Sequence, residues 1–248
     1  MKKENDELVF GIRATIEAID AGKEINKLFI QNGISNPLIG ELKKTTQKWN
    51  IPIQYVPVEK LNRISQKNHQ GVICFVSPIS YQPLDQLIPL WFEEGKNPLV
   101  LILDRVTDVR NFGAICRTAE CVGVDAVIVP TKGGAMVNAD AIKTSAGALH
   151  RISVCREMYL KETIDYLKSS GFNVVGCTEK TDKTIYDANL TGPTAIIMGS
   201  EEDGISPEYM KRCNELSAIP LNGNIASLNV SVAAGVILYE CQRQRIMA

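Results

Sequence analysis

The chain is poor in the features that usually betray a chemistry at first reading. Its 248 residues include only two histidines, His69 and His150, and no Cys-x-x-Cys spacing occurs among its seven cysteines. A zinc site is therefore not expected. The odd cysteine count, with most members inside apolar runs such as Val72-Ile73-Cys74-Phe75-Val76, reads as reduced core thiols of a cytosolic protein. Neither sign of charge dominates. Residues 1–96 carry 12 Lys/Arg against 11 Asp/Glu, residues 97–248 carry 15 against 17, and the net formal charge is −1. Such a chain cannot coat nucleic acid by bulk charge, so a nucleic-acid partner would have to be held by local patches. No apolar run approaches the roughly 20 residues that span a bilayer. The opening Met1-Lys2-Lys3-Glu4-Asn5-Asp6-Glu7 is charged and lacks an export segment. A cytoplasmic location with no membrane partner is expected.

The common phosphate and nucleophile motifs are missing too. No GxGxxG follows the apolar run at 99–103, and neither GxxxxGK[ST] nor GxSxG occurs. Dinucleotide, P-loop and hydrolase-elbow chemistries are left without support.

What is present is an alternation of helical and strand periods. Residues 1–78 read as a compact α/β unit. Ile12, Ile16 and Ile19 give a helical face within 10–21, a polar helix covers 35–48, and a short basic helix covers 58–66. Strands fall at 27–30, 53–56 and 71–76. Residues 79–96, with Pro83, Pro89 and Gly95, read as a linker holding an amphipathic helix. Residues 97–248 alternate apolar strands and helices. The strands fall at 99–103, 126–129, 152–154, 173–177, 195–198 and 216–219; the helices include one from about Phe112 to Val122, one from Pro207 and a long one over 228–246. Continuous apolar strands between helices imply a parallel sheet covered on both faces. Its ligand site should lie at the carboxyl ends of the strands.

Three loops at those ends carry unusual polar residues. In Asn111-Phe112-Gly113-Ala114-Ile115-Cys116-Arg117, Asn111 stands where a helix begins and could cap it. Arg117, further along that helix, can lean back toward the strand ends. In Met198-Gly199-Ser200-Glu201-Glu202-Asp203-Gly204-Ile205-Ser206, a missing Cβ at Gly199 lets a ligand approach the backbone. Glu201 follows at the sheet edge, and Glu202 and Asp203 read as a solvated turn. In the segment from Ile219 to Gly235, Ser227 could cap the last helix. Asn229 is a polar amide in the apolar stretch Leu228–Leu238, which should be buried on more than one side and leaves the amide in need of partners.

Together NFGAICR, MGSEEDGIS and IPLNGNIASLNVSVAAGVILYE resemble the three signature motifs of the SpoU branch of the SPOUT RNA methyltransferases, in order and spacing over about residues 97–248. The first part, with Val9-Phe10-Gly11-Ile12-Arg13-Ala14 and His69-Gln70-Gly71-Val72, resembles the substrate-binding domain of the two-domain members, which is similar to the ribosomal protein L30e fold. The resemblance implies an α/β SPOUT domain with a deep C-terminal trefoil knot, a fold that periodicity would never propose. It also implies S-adenosylmethionine (AdoMet) as cofactor, no metal, and a homodimer through the C-terminal domain. The activity implied is methyl transfer to a guanosine ribose 2′-hydroxyl of 23S ribosomal RNA. A transfer RNA or another ribosomal site is the alternative within the family, and a non-catalytic RNA-binding assembly factor the alternative outside it. Asn111, Arg117, Glu201, Ser227 and Asn229 fall on the catalytic positions, and Thr178, Gly199, Ile219 and Leu228 on the cofactor positions. Many relatives have Gly where this chain has Glu202, and Gly204 would absorb the turn. Lys60, Arg63, Lys67 and His69 form a basic cluster that would help select the RNA.

Overall fold

The computed structural model describes residues 8–248; the charged opening 1–7, read above for its lack of an export segment, lies outside them. The chain divides into two units after Ser80.

The first unit runs β1 (Leu8–Phe10), α1 (Ile12–Asp20), β2 (Ile25–Gln31), α2 (Pro37–Lys48), β3 (Ile53–Val56), α3 (Val58–Ile64) and β4 (Val72–Val76). Its sheet has the order β1-β4-β2-β3, with β2 and β3 parallel and the other pairs antiparallel. The two-residue period of a strand sorts its side chains onto two faces. Leu28, Ile30, Val72 and Cys74 pack with apolar residues of α1 and α2, while Phe29, Ile73 and Phe75 pack with Val56 and Leu61 on the other face. Phe10 was expected in a helix and instead pairs with Ile73 across β1 and β4. A three-residue strand is too short to show alternation, and its partner lies far along the chain.

The second unit begins inside the stretch expected to be a linker. α4 (Leu84–Glu93) buries Leu84, Ile88 and Trp91 in the same core as Val100, Ile102 and Ile197. From Tyr81 onward the segment is therefore part of this unit, held by burial worth about 1.5–3 kcal/mol per large apolar side chain. The unit continues with β5 (Leu99–Leu103), α5 (Val109–Val122), β6 (Ala126–Pro130), α6 (Ala139–Thr144), a short 3-10 turn, β7 (Ser153–Glu157), α7 (Leu160–Ser169), β8 (Asn173–Cys177), β9 (Thr194–Met198), α8 (Pro207–Met210), β10 (Glu215–Ser217) and α9 (Val230–Met247).

Its six strands lie in the order β10-β8-β9-β5-β6-β7, and every pairing is parallel. β5 and β9 are buried along their whole length, which is why their sequences are continuously apolar. Leu160, Ile164 and Leu167 of α7 join α4 over the face carrying Val100 and Ile102. From β5 the chain builds outward through β6 and β7, then returns to build the other side. The carboxyl ends of β5 and β9 thus adjoin where the winding reverses, the place where open α/β sheets bind ligands.

α9 packs along α5. Near its end Arg245 donates to the carbonyls of Asn97, Pro98, Leu190 and Gly192 at 2.7–3.3 Å, anchoring the helix. Among the described residues no helix is long and apolar enough to cross a membrane.

Candidate active site

β5 ends at a buried carboxylate. Asp104 is almost wholly enclosed and accepts from the Ser206 backbone N–H at 2.7 Å. Arg105 follows in the left-handed backbone region, with φ 56°. Its guanidinium donates to both Asp104 oxygens at 3.0 and 3.2 Å, to Asp203 at 2.9 Å and to the Gly204 carbonyl at 3.1 Å. Asp203, expected to be a solvated turn residue, is thus tied to the end of β5. Charge-assisted bonds to a planar guanidinium fix direction as well as distance.

The loop after β9 closes on itself. Ser200 and Gly204 exchange backbone hydrogen bonds at 3.2 and 3.0 Å. A Cβ on Gly199 would collide with the backbone of Gly204 and Ile205. The missing side chain therefore admits the returning loop, while Gly199 itself still lines the cavity at the strand ends. Gly204, with φ 70°, takes the left-handed turn that leaves Glu202 free of that demand.

This loop presents Glu201 to two amides. Glu201 Oε1 accepts from Asn111 Nδ2 at 2.7 Å and from Asn229 Nδ2 at 2.8 Å, and Asn229 Nδ2 also reaches Asn111 Oδ1 at 3.1 Å. Asn111 is not the cap of its helix. Asp108 caps α5, accepting from the N–H groups of Arg110 and Asn111 at 2.9 and 2.8 Å, which leaves the Asn111 amide free to face Glu201. Asn229, not Ser227, caps α9. Its Oδ1 accepts from Ser231 N–H at 2.9 Å and from Ser231 Oγ at 2.6 Å. Because the helix N-terminus claims the oxygen, the nitrogen must point at the carboxylate. Asn229 was expected to find partners through burial; it finds them while exposed, at the mouth of the site.

Beside this cluster lies a cavity of about 530 Å³ between the ends of β8 and β9 and the segment entering α9. Thr178, Gly199, Ile219 and Leu228, the positions expected to meet a cofactor, all line it, and so do Glu201 and Ser227. Met198, Leu221 and Val230 add apolar surface. An apolar slot with a few convergent polar groups suits a nucleoside carrying a polar tail. Cys177 also lines it, and burial pushes its thiol up to about 12, so it is a neutral wall and not a nucleophile. A second cavity of about 330 Å³, with Arg105, Asp108 and Asn111 on its wall, shares residues Ser200 to Asp203 with the first.

Arg117 is not brought into this cluster. It is exposed on α5 and lines neither cavity. Asp104 and Arg105 are the residues sequence reasoning passed over. Their signal was a charged pair directly behind a wholly apolar strand. In the first unit, His69 leaves the expected basic cluster. It is buried, with Nε2 2.9 Å from Asn62 Oδ1 and Nδ1 accepting from Gly71 N–H at 3.0 Å, so it fixes the turn before β4. Among the described residues no group of three His, Cys, Asp or Glu is placed to hold a metal ion.

Residues 98–239 match the sequence profile of the SpoU rRNA Methylase family, and residues 8–82 that of the RNA 2′-O ribose methyltransferase substrate-binding domain. A Staphylococcus aureus (strain MSSA476) protein assigned to the TrmH family of tRNA/rRNA methyltransferases is 38% identical over 243 residues, 97% of either chain. The structure of the SpoU methyltransferase AviRb from Streptomyces viridochromogenes, in complex with AdoMet, superposes with a TM-score of 0.62 at 27% identity, over 97% of this chain and 91% of that one. The A. aeolicus TrmH/SpoU tRNA modifying enzyme superposes with a TM-score of 0.56 at 29% identity, over 66% of this chain and 85% of that one. With its motifs gathered at the strand ends and its profile matched over more than half its length, the chain belongs to the SpoU methylase family, the AdoMet-dependent RNA 2′-O-ribose methyltransferases.

Proposed function

We propose that this protein methylates the ribose 2′-hydroxyl of a guanosine in 23S ribosomal RNA. The observation that supports the methyl-transfer part of this reading is the shared wall. The cavity suited to AdoMet and its neighbour meet at the Glu201 loop, and Asn111 and Asn229 close on Glu201 from both sides. One cavity would hold the methyl donor through Thr178, Gly199, Ile219 and Leu228, the other the acceptor ribose.

Bound AdoMet supplies a methyl group on a sulfonium, which is already a good leaving group. The protein's own residues have to set the hydroxyl in line and manage its proton. A guanidinium, with a pKa above about 12, is a poor base. We assign Arg117 to an RNA phosphate and to the developing alkoxide; because it lines neither cavity of its own copy, it would have to reach the acceptor from the second copy of the dimer proposed below. Asn111 and Asn229 orient the ribose, Glu201 holds both amides in place, and Ser227 offers a hydroxyl from the rim of the donor cavity.

The reading includes the family's trefoil knot. It is supported by the path of the chain after β10, which leaves the sheet edge, borders the donor cavity, and re-enters as α9 against α5. It includes residues 1–78 as an L30e-like RNA-binding domain, and a cytoplasmic location goes with an RNA substrate. It also includes a homodimer through the last helix. Leu238 of α9 is buried, whereas Val232 and Tyr239 are more than half exposed, an apolar surface that a second copy would cover. Sedimentation should show a dimer at micromolar concentration; a stable monomer would remove this part.

Mapping ribose 2′-O-methyl groups in ribosomal and transfer RNA from a deletion strain tests the substrate. Loss of one methyl from a 23S guanosine is the expected result. Loss from transfer RNA would move the activity to the alternative substrate, and no loss with no AdoMet binding would leave an assembly factor.

A further inference from the structure

We propose that Lys27 and Lys60, seated over Phe29 on the α3 side of the first sheet, form a binding site for the phosphodiester backbone of RNA. The proposal rests on the reading of the chain as an RNA methyltransferase and names where its first unit grips the substrate.

The seat follows from strand geometry. Lys27 and Phe29 lie two residues apart on β2 and so project from the same face. Lys60 arrives from α3. The ammonium nitrogens of Lys27 and Lys60 lie 4.9 and 5.0 Å from the centroid of the one ring. Phe75 holds that ring edge-to-face, with centroids 5.3 Å apart and planes at 73°, so the seat is rigid. Lys67 lies 5.5 Å over the ring of Phe10, which packs on the same apolar face.

Two like charges on one ring repel, and among the described residues no carboxylate lies within ion-pair distance of either lysine. Partial burial, followed by the nearby Lys60 charge, lowers the pKa of Lys27. The arrangement is therefore one that an incoming anion relieves. Phe29 itself is only 6% exposed, so a base cannot stack on it. The ring is a seat for cations, and the contact it prepares is to backbone phosphate, blind to sequence. Elsewhere in the unit the lysines stand singly over separate exposed rings, Lys43 over Tyr55 and Lys48 over Trp49.

The test is fluorescence anisotropy of a labelled oligouridylate with the full-length protein across a range of KCl concentrations. Lys27→Gln/Lys60→Gln should weaken binding about fivefold or more and flatten the plot of log K against log salt by about 0.7 for each phosphate lost. Lys27→Arg/Lys60→Arg, which keeps both charges, should retain the wild-type slope. Lys43→Gln/Lys48→Gln removes the same charge elsewhere and should change the slope little. An unchanged slope in the Lys27/Lys60 Gln variant, or an equal loss in the Lys43/Lys48 control, overturns the site. AdoMet affinity, measured by calorimetry on the same proteins, tests the methyltransferase reading separately. Its absence beside a normal salt slope would sink that reading and leave the phosphate site standing.

Discussion

Asn111 and Asn229 stand 118 residues apart in the chain and are joined by a 3.1 Å hydrogen bond, each also donating to the same oxygen of Glu201. The bond links the start of the helix after β5 to the start of the last helix. A single carboxylate therefore reports on the placement of two helices that border the two cavities.

If the three residues act as one unit, their losses will not multiply. Asn111→Ala and Asn229→Ala should each lower kcat by about 10- to 100-fold, as hydrogen bonds to a charged group are worth about 1.5–3 kcal/mol. The double variant should cost far less than the product. Asn229→Asp separates cap from catalysis. It keeps the acceptor for α9 but sets a second carboxylate beside Glu201, so it should unfold near the wild-type temperature while losing activity. Multiplicative losses across the pair would show that the contacts seen here do not couple.

Arg117→Ala should abolish methyl transfer and leave AdoMet affinity within a few-fold. The residue is outside the wall of the donor cavity, yet on the helix that carries Asn111. Calorimetric loss of AdoMet binding in a folded Arg117→Ala protein would overturn this division of roles.

The boundary of the second unit can be tested by truncation. A fragment of residues 81–248 should fold, bind AdoMet and methylate RNA poorly, since 16 Lys/Arg against 20 Asp/Glu leave it net negative and unable to gather RNA by charge. A fragment of residues 97–248 removes Leu84, Ile88 and Trp91 from the core and should melt at a clearly lower temperature, at about 1.5–3 kcal/mol for each lost side chain. Equal melting temperatures for the two fragments would return residues 81–96 to the status of a tether. Equal activity of the longer fragment and the whole protein would show that residues 1–78 do not select the RNA.

Cysteine chemistry should follow burial. Cys121 is exposed, whereas burial pushes the thiols of Cys74, Cys155 and Cys177 from 9.0 up to about 12. Mass spectrometry after brief alkylation at pH 8 should find Cys121 modified first and these three intact. The sign of the linkage is also set. Above pH 9.0 the unfolded thiols ionise while the folded ones stay protonated up to about 12. Stability should therefore fall as pH rises through that window. Early alkylation of Cys177 would show that the donor cavity wall opens.

Much of the architecture was legible in the residues themselves. The fully apolar runs Leu99–Leu103 and Ala195–Met198 could only be central parallel strands, because a strand buried on both faces has no polar side to show. The stretches 53–56 and 173–177 kept the bounds that periodicity assigns them. The polar residues behind the strands, Asn111, Glu201 and Asn229, were conspicuous for the same reason.

Which of them touch was decided only by the tertiary structure. Sequence order says nothing of β9 sliding in beside β5, yet that placement alone brings the Glu201 loop to Asn111. Local rules assigned the helix caps to Asn111 and Ser227. Asp108 and Asn229 took them because each backbone N–H at a helix start donates to whichever acceptor the chain path delivers. His69 looked like surface charge and Asp203 like a loose turn, and each was claimed by a partner that folding brought to it, Asn62 and Arg105. Hydrophobic periodicity determines where the chain is buried; the directional bonds that build a site depend on which strand ends meet, and that is settled only when the sheet has closed.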